Sequence, residues 1–264
     1  MVAKADLAVA STPGLVSIVI PCCGMLEYTK LCVPSVLKQS RPPFELIFLD
    51  IGSLDGTAEF LSGLQMGLGS IRVHIERAAT DLGLKDACQR ALREARGEFI
   101  VLLNNDTVVT NGWLNQMIGL VTFSMGFGLI GPMSNMAALP QLVEPVPYRS
   151  GANLGIGAAA GDLLNVNEVE NFAIQFNKEH QGNWVNVDTL GGFCLLLKRD
   201  VLSKIGPALD EWSDLSLFDT DILSAKARQA GYSLAVCRDL FVHHFGTRMF
   251  VHGPAKAPNS ATAD

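Results

Sequence analysis

Apolar and polar positions change period along this chain, and each change marks an element. Val16-Ser17-Ile18-Val19-Ile20 is dense in β-branched residues and predicts a strand, ended by Pro21 and Cys22-Cys23-Gly24. Leu31, Cys32, Val36 and Leu37 recur at helical spacing across residues 28–39, which requires Pro34 to lie near the first turn. Residues 45–49 form a second strand closed by Asp50, and the turn Gly52 to Thr57 feeds a helix to about Leu64, capped by Ser53 or Asp55. Residues 71–75 alternate as a third strand with His74 facing out, and residues 84–95 place Leu84, Ala87, Cys88, Ala91, Leu92 and Ala95 on one helical face. Phe99-Ile100-Val101-Leu102-Leu103 then runs without a polar break, as a strand buried on both faces does.

Strand and helix thus alternate three times before Asp106, which argues for right-handed βαβ units and a largely parallel sheet. Beyond it the pattern gives a helix at 111–121, a short strand at 128–131 and a poorly patterned stretch at 132–183 with one weak helix at 166–176. Long loops are expected there, of the kind that carry function. Residues 185–187, a strand at 193–197 after Gly191-Gly192 and a helix at 200–205 restore order. Phe218-Asp219-Thr220-Asp221 opens a helix to Ala230, followed by a strand at 233–237 and a closing segment, Phe241 to Gly246. The expected organisation is a flexible tail at 1–14, one α/β domain at 15–252 and a second flexible tail at 253–264. Within the domain, the alternating part, about 15–107, reads as a nucleotide-binding half, and the remainder spans about 108–252.

Composition narrows the partners. With 48% apolar and 17% charged residues among 264, the chain is globular. A net charge of −6 argues against nucleic acid as a partner. Six scattered cysteines, none in a CxxC pair, read as reduced thiols and point to a cytoplasmic protein. The most apolar region, Trp113 to Met133, is broken by Asn115, Gln116, glycines and Pro132, so a helix and a strand explain it better than a membrane span. A weak membrane-surface contact stays compatible with it. No GxGxxG follows the first strand, which removes the dinucleotide-binding reading.

The candidate chemistry begins at Asn104-Asn105-Asp106. Open α/β sheets place ligands at the carboxyl ends of their strands, and a carboxylate there can hold a hard cation that bridges phosphates. The same three residues also favour a plain turn.

In order along the chain, VSIVIP, LDIGSLDGT, ARGEFIVLLNNDT, GPMSN, GGFCLLLKRD, IGPALDEW, FDTD and AGYSLAVCRDLFVHHFGTR resemble the family 2 glycosyltransferases with the GT-A fold, a single Rossmann-like domain with a mostly parallel sheet flanked by helices. The resemblance implies an inverting transfer of a sugar from a UDP- or dTDP-linked donor, with Mg2+ or Mn2+, to a glycan, a lipid-linked sugar or a protein, as in cell-wall or polysaccharide biosynthesis. By position, Asp50 would contact the base, and Pro21 and Gly83 would belong to the donor site. Asn105 and Asp106 would fill the DXD-like donor and metal site, Gly191 and Gly192 would line the donor sugar, and His244 or His243 would complete the metal region. The FDTD carboxylates would supply the catalytic base, Asp219 ahead of Asp221. Departures cluster at donor contacts: Cys22-Cys23-Gly24 after the first strand, Ile51 where Asp or Asn is common, Asp81-Leu82-Gly83, and Asp219-Thr220-Asp221 in place of a Glu-Asp pair. They admit an alternative, a catalytically silent nucleotide-sugar-binding module of a larger glycosylation assembly.

Overall fold

The computed structural model describes residues 11–41, 43–78, 84–149, 164–205 and 220–246. The first four strands of its main sheet are β1 (Thr12–Cys22), β2 (Phe44–Ile51), β3 (Val73–Ala78) and β4 (Gly97–Leu103). They are joined by helices α1 (Leu26–Gln39), α2 (Thr57–Gly67) and α3 (Leu84–Glu94). A two-residue strand β5 (Thr107–Val108), α4 (Trp113–Phe123) and β6 (Phe127–Met133) follow, and then α5 (Val166–His180), β7 (Trp184–Val187) and β8 (Cys194–Lys198). The chain continues through α6 (Arg199–Ile205), α7 (Thr220–Gln229), β9 (Ser233–Phe241) and β10 (His243–His244).

One eight-stranded sheet runs in the order β3-β2-β1-β4-β8-β6-β9-β7. Its β3–β2, β2–β1, β1–β4 and β6–β9 pairings are parallel, as the alternation of strands and helices predicts. Antiparallel β8 sits between β4 and β6, and antiparallel β7 forms one edge. A separate ribbon pairs β10 with β5.

Alternation along the central strands splits the core between the two faces. Val19, Ile47, Leu49, Ile100 and Leu102 face one layer, which holds Ala87, Ala91 and Leu92 of α3 and Val169 and Phe176 of α5. Ile18, Ile20, Leu46, Phe48, Val101 and Leu103 face the other, with Cys32, Val33 and Val36 of α1, Leu61 of α2 and Trp113 and Met117 of α4. Each such side chain, fully buried, contributes about 1.5–3 kcal/mol relative to exposure. Both faces are therefore occupied, which is why the central strands read as unbroken apolar runs.

Three boundaries depart from expectation. β1 starts at Thr12, inside the stretch expected to be loose, because Thr12 N–H donates to Arg96 O at 2.8 Å and Gly14 N–H to Glu98 at 2.8 Å. α1 starts at Leu26, so Pro34 lies in its interior instead of its first turn. The missing N–H is tolerated because both flanking turns are buried against the sheet, with the Ser35 hydroxyl bonded to Cys32 O at 2.7 Å and accepting from Val109 N–H at 3.1 Å. Within 132–183, residues 134–149 form a loop whose Ser134 and Leu142 make a single bridge, and α5 runs one turn past its predicted end. The C-terminal tail, 253–264, lies outside the described residues.

Candidate active site

β1 lies between β2 and β4, so the chain leaves its carboxyl end toward one neighbour and later returns on the other side. This is a switch point of a doubly wound sheet, where a crevice opens. Pro21 and Cys22 end β1 and Cys23-Gly24 follow it, Asp50 lies near the end of β2 directly across from Cys22, and Asn104 to Asp106 follow β4. Leu103 pairs with Cys194, and Asn104 N–H donates to Phe193 O at 2.9 Å, which brings Gly191-Gly192 to the same edge. The β5–β10 ribbon sets His244 opposite Thr107, one residue beyond Asp106.

Asp106 and His244 meet there. Asp106 is fully buried, and its Oδ1 stands 3.4 Å from His244 Nε2, long for a hydrogen bond. His244 Nδ1 is 2.8 Å from Met136 O. A carbonyl only accepts, so Nδ1 carries the proton and Nε2 turns to Asp106. Burial pulls the His244 pKa down, but the Asp106 carboxylate and the Met136 carbonyl outweigh burial and leave it above the ordinary imidazole value. Phe193 stacks on the ring at 5.2 Å between centroids. Tyr28 borders the carboxylate, its ring edge-on to Phe245 at 4.8 Å, and its pKa is raised by burial and then by the charge of Asp106.

One carboxylate and one imidazole fit a Mg2+ or Mn2+ ion that draws its other ligands from a diphosphate and water. Among the described residues no third His, Cys, Asp or Glu joins them. The pair suits a cation that arrives with its nucleotide better than a closed protein cage.

Other predicted residues fall as follows. Asp50 is buried, with Oδ1 accepting Ser53 N–H at 3.2 Å and Oδ2 3.9 Å from the half-exposed Arg77. Asn105, expected in the donor site, is turned inward. Its amide bonds Thr29 Oγ1 at 2.9 Å and Gly24 O at 3.2 Å, tying the loop after β1 to the end of β4. Its partly exposed neighbour Asn104, grouped with Asn105 and Asp106 in the sequence reading but not placed in the donor site there, is not turned inward in this way. His243, expected with the metal, points to the other face of β10. It is buried, with Nδ1 2.9 Å from the Tyr148 hydroxyl, and burial and then His244 push its pKa down to about 3. Gly191 N–H donates to Gln141 Oε1 at 2.6 Å, and Gly191 and Gly192 are half-buried. Asp221 is exposed in the first turn of α7. Asp219 and Gly83 lie outside the described residues.

A doubly wound sheet with antiparallel β8 beside β4 is the GT-A fold. Residues 17–124 match the family model described as Glycosyl transferase family 2, so that part of the chain is similar to that family. It is 29% identical over 104 residues to the glycosyltransferase GlyG of Streptococcus pneumoniae, covering 39% of this chain and 34% of GlyG. The fold is similar to the mannosyltransferase PcManGT of Pyrobaculum calidifontis, solved with GDP-Man and Mn2+, at TM-score 0.58 and 15% identity over 90% of this chain and 58% of that one. It is also similar to GalNAc-T7, solved with UDP, GalNAc and Mn2+, at TM-score 0.57 and 16% identity over 87% and 43%. The chain spans between 23% and 36% of the length of the first curated relatives it matches. No helix among the described residues is long and apolar enough to cross a membrane.

Proposed function

We propose that this chain transfers a sugar from a UDP- or dTDP-linked donor to a hydroxyl acceptor, with inversion and with Mg2+ or Mn2+. The observation that carries the reading is the Asp106–His244 pair, 3.4 Å apart at the crevice between β1 and β4. Asp106 and His244 Nε2 would hold the ion, and the bound ion neutralises the charge that develops on the departing nucleoside diphosphate. Asp50, at the end of β2, holds the base. Asn104 and the Gly191-Gly192 turn line the path from diphosphate to sugar. A carboxylate of the FDTD segment, Asp219 ahead of Asp221, takes the acceptor proton from the face opposite the leaving group, so no covalent intermediate is needed. The acceptor is a glycan, a lipid-linked sugar or a protein, in cell-wall or polysaccharide assembly. Six cysteines, none in a disulfide, support a reducing, cytoplasmic setting.

The test is release of nucleoside diphosphate from a panel of UDP-, dTDP- and GDP-sugars with Mn2+, run on the full chain and on Asp219→Asn and Asp221→Asn. Turnover abolished by Asp219→Asn, with donor binding kept, is the expected result. Donor binding with no turnover by the unaltered chain would instead establish a binding module. No metal-dependent binding of any donor would overturn the reading.

A further inference from the structure

Building on that reading of the metal pair, the structure assigns a positioning role to Asn135, in the loop after β6, for which the sequence suggested none. Its side chain brackets the backbone of His244 from both sides. Asn135 Nδ2 donates to His244 O and Asn135 Oδ1 accepts from His244 N–H, each at 3.0 Å. These bonds engage backbone groups on an edge of β10, which is only two residues long and would otherwise have little to fix its register. The next residue, Met136, supplies the carbonyl that takes the Nδ1–H of the same histidine at 2.8 Å. Two adjacent residues of one loop therefore set the height of His244 along the ribbon and the tautomer of its ring.

Two further contacts lock this loop to the ribbon. Gly246 sits at φ 72°, and a Cβ there would lie 2.5 Å from Met136 Cγ, so the Met136 side chain packs where only glycine leaves room. Phe245 N–H donates to Asp106 O at 3.0 Å, which fixes the carboxylate's backbone to the strand that carries the histidine. Asp106, His244 and the loop at 135–136 thus form one clamp, in which Asn135 meets neither cation nor substrate. A histidine held with Nδ1–H on a carbonyl offers the Nε2 lone pair as a ligand, and losing such an outer hydrogen bond commonly costs metal affinity. Asn135 acts on the metal through His244.

The experiment uses the full chain with Mn2+ alone and Mn2+ plus UDP as probes, affinity read by electron paramagnetic resonance titration. The histidine tautomer is read in the metal-free protein by 15N NMR of the imidazole ring, at a pH above the raised His244 pKa so that the ring is neutral. Asn135→Ala should weaken Mn2+ binding by roughly 10–100-fold and shift the His244 signature away from pure Nδ1–H. A loss of fold stability alone would not move that signature. Should Asn135→Ala fail to fold, Asn135→Asp keeps the acceptor for His244 N–H and is read in the same way, with a smaller loss expected. His244→Ala provides the reference. If it abolishes Mn2+ binding while the Asn135 variant keeps both affinity and tautomer, the positioning role is overturned and the metal pair stands. If His244→Ala leaves Mn2+ affinity intact, the metal pair fails, and the role of Asn135 fails with it.

Discussion

A fully buried carboxylate is costly unless a charge or hydrogen bonds meet it, and Asp106 faces the Nε2 edge of His244. Replacing Asp106 by Asn keeps the shape and removes the charge a divalent ion needs. Mn2+-dependent UDP binding should then fall by more than the roughly 10–100-fold typical of outer-shell changes, measured by calorimetry with and without the metal. In the proposed reading, Asp50 serves the other end of the same nucleotide. Asp50→Ala should weaken every donor carrying the same base by roughly tenfold or more, the loss of one hydrogen bond to a charged group. Binding constants for two sugars on one base check this, and a loss confined to one sugar would move Asp50 toward the hexose. The place of both residues in the fold was legible in the sequence, Asp50 closing one predicted apolar strand and Asp106 lying in the polar stretch that ends another. Asn104 and Asn105 were not separable. Which of two adjacent amides turns inward is decided by Thr29 and Gly24 of another element, and no local pattern encodes that.

At the scale of elements, periodicity located the strands and helices well, and tertiary pairing decided what it could not. The run of residues 193–197 reads as a buried strand in either direction. Its antiparallel placement between β4 and β6 is a long-range fact. The β5–β10 ribbon is too short for any period to register, and yet it delivers His244. The turn after β2 shows the reverse, a local signal that did more than expected. Asp55, offered together with Ser53 as a cap for α2, lies one residue before the N-cap Gly56; it accepts from Thr57 N–H and Thr57 Oγ1 through Oδ1, and through Oδ2 from Leu26 N–H at the start of α1. One carboxylate thus serves two helix starts beside the crevice. Burial would raise its pKa, but the bonds from Thr57 and Leu26 hold it below the ordinary 3.8. A depressed folded-state pKa means that folding favours the ionised form. Its contribution is therefore present at neutral pH and is lost as pH falls through the carboxylate range. Asp55→Ala should cost about 1 kcal/mol at pH 7, as cap losses do. The gap in melting temperature between variant and parent should close on acidification, which a thermal melt series across pH checks.

Across the whole molecule, the two edges of the sheet carry different tasks. The proposed nucleotide site gathers at the carboxyl ends of β1, β2 and β4. The opposite edge is held by an ionic network around Glu45, which is 2% exposed. Glu45 accepts from the Ser17 hydroxyl at 2.6 Å, Arg96 N–H at 2.6 Å and Arg72 Nη1 at 2.7 Å. Arg72 continues to Glu94 at 2.5 Å, while buried Arg199 bonds the carbonyls of Gly97 and Ala95 at 2.7 and 2.6 Å. β1, β2, β4 and the ends of α3 and β8 are thereby tied together at their base, where Gly97 also lets the β1 backbone approach closely, a Cβ there falling 2.6 Å from Ser17 N. Removing Glu45 leaves the buried Ser17 hydroxyl and the Arg96 N–H without their acceptor and takes one of Arg72's two carboxylate partners. Glu45→Ala should therefore lower stability by about 3 kcal/mol and the melting temperature by on the order of 5–10 °C. Glu45→Gln, which keeps an acceptor for Ser17 or Arg96, should cost less. Because the network lies at the far edge, the rise in melting temperature on adding UDP and Mn2+ should persist in both variants, since a ligand that binds only the folded state stabilises it by its own affinity. Chemical denaturation and thermal shift with and without UDP and Mn2+ measure the two quantities separately. Loss of the ligand-induced shift in Glu45→Ala, in a sample still folded at the assay temperature, would mean that the base of the sheet sets the geometry of the crevice and that the two edges are not independent.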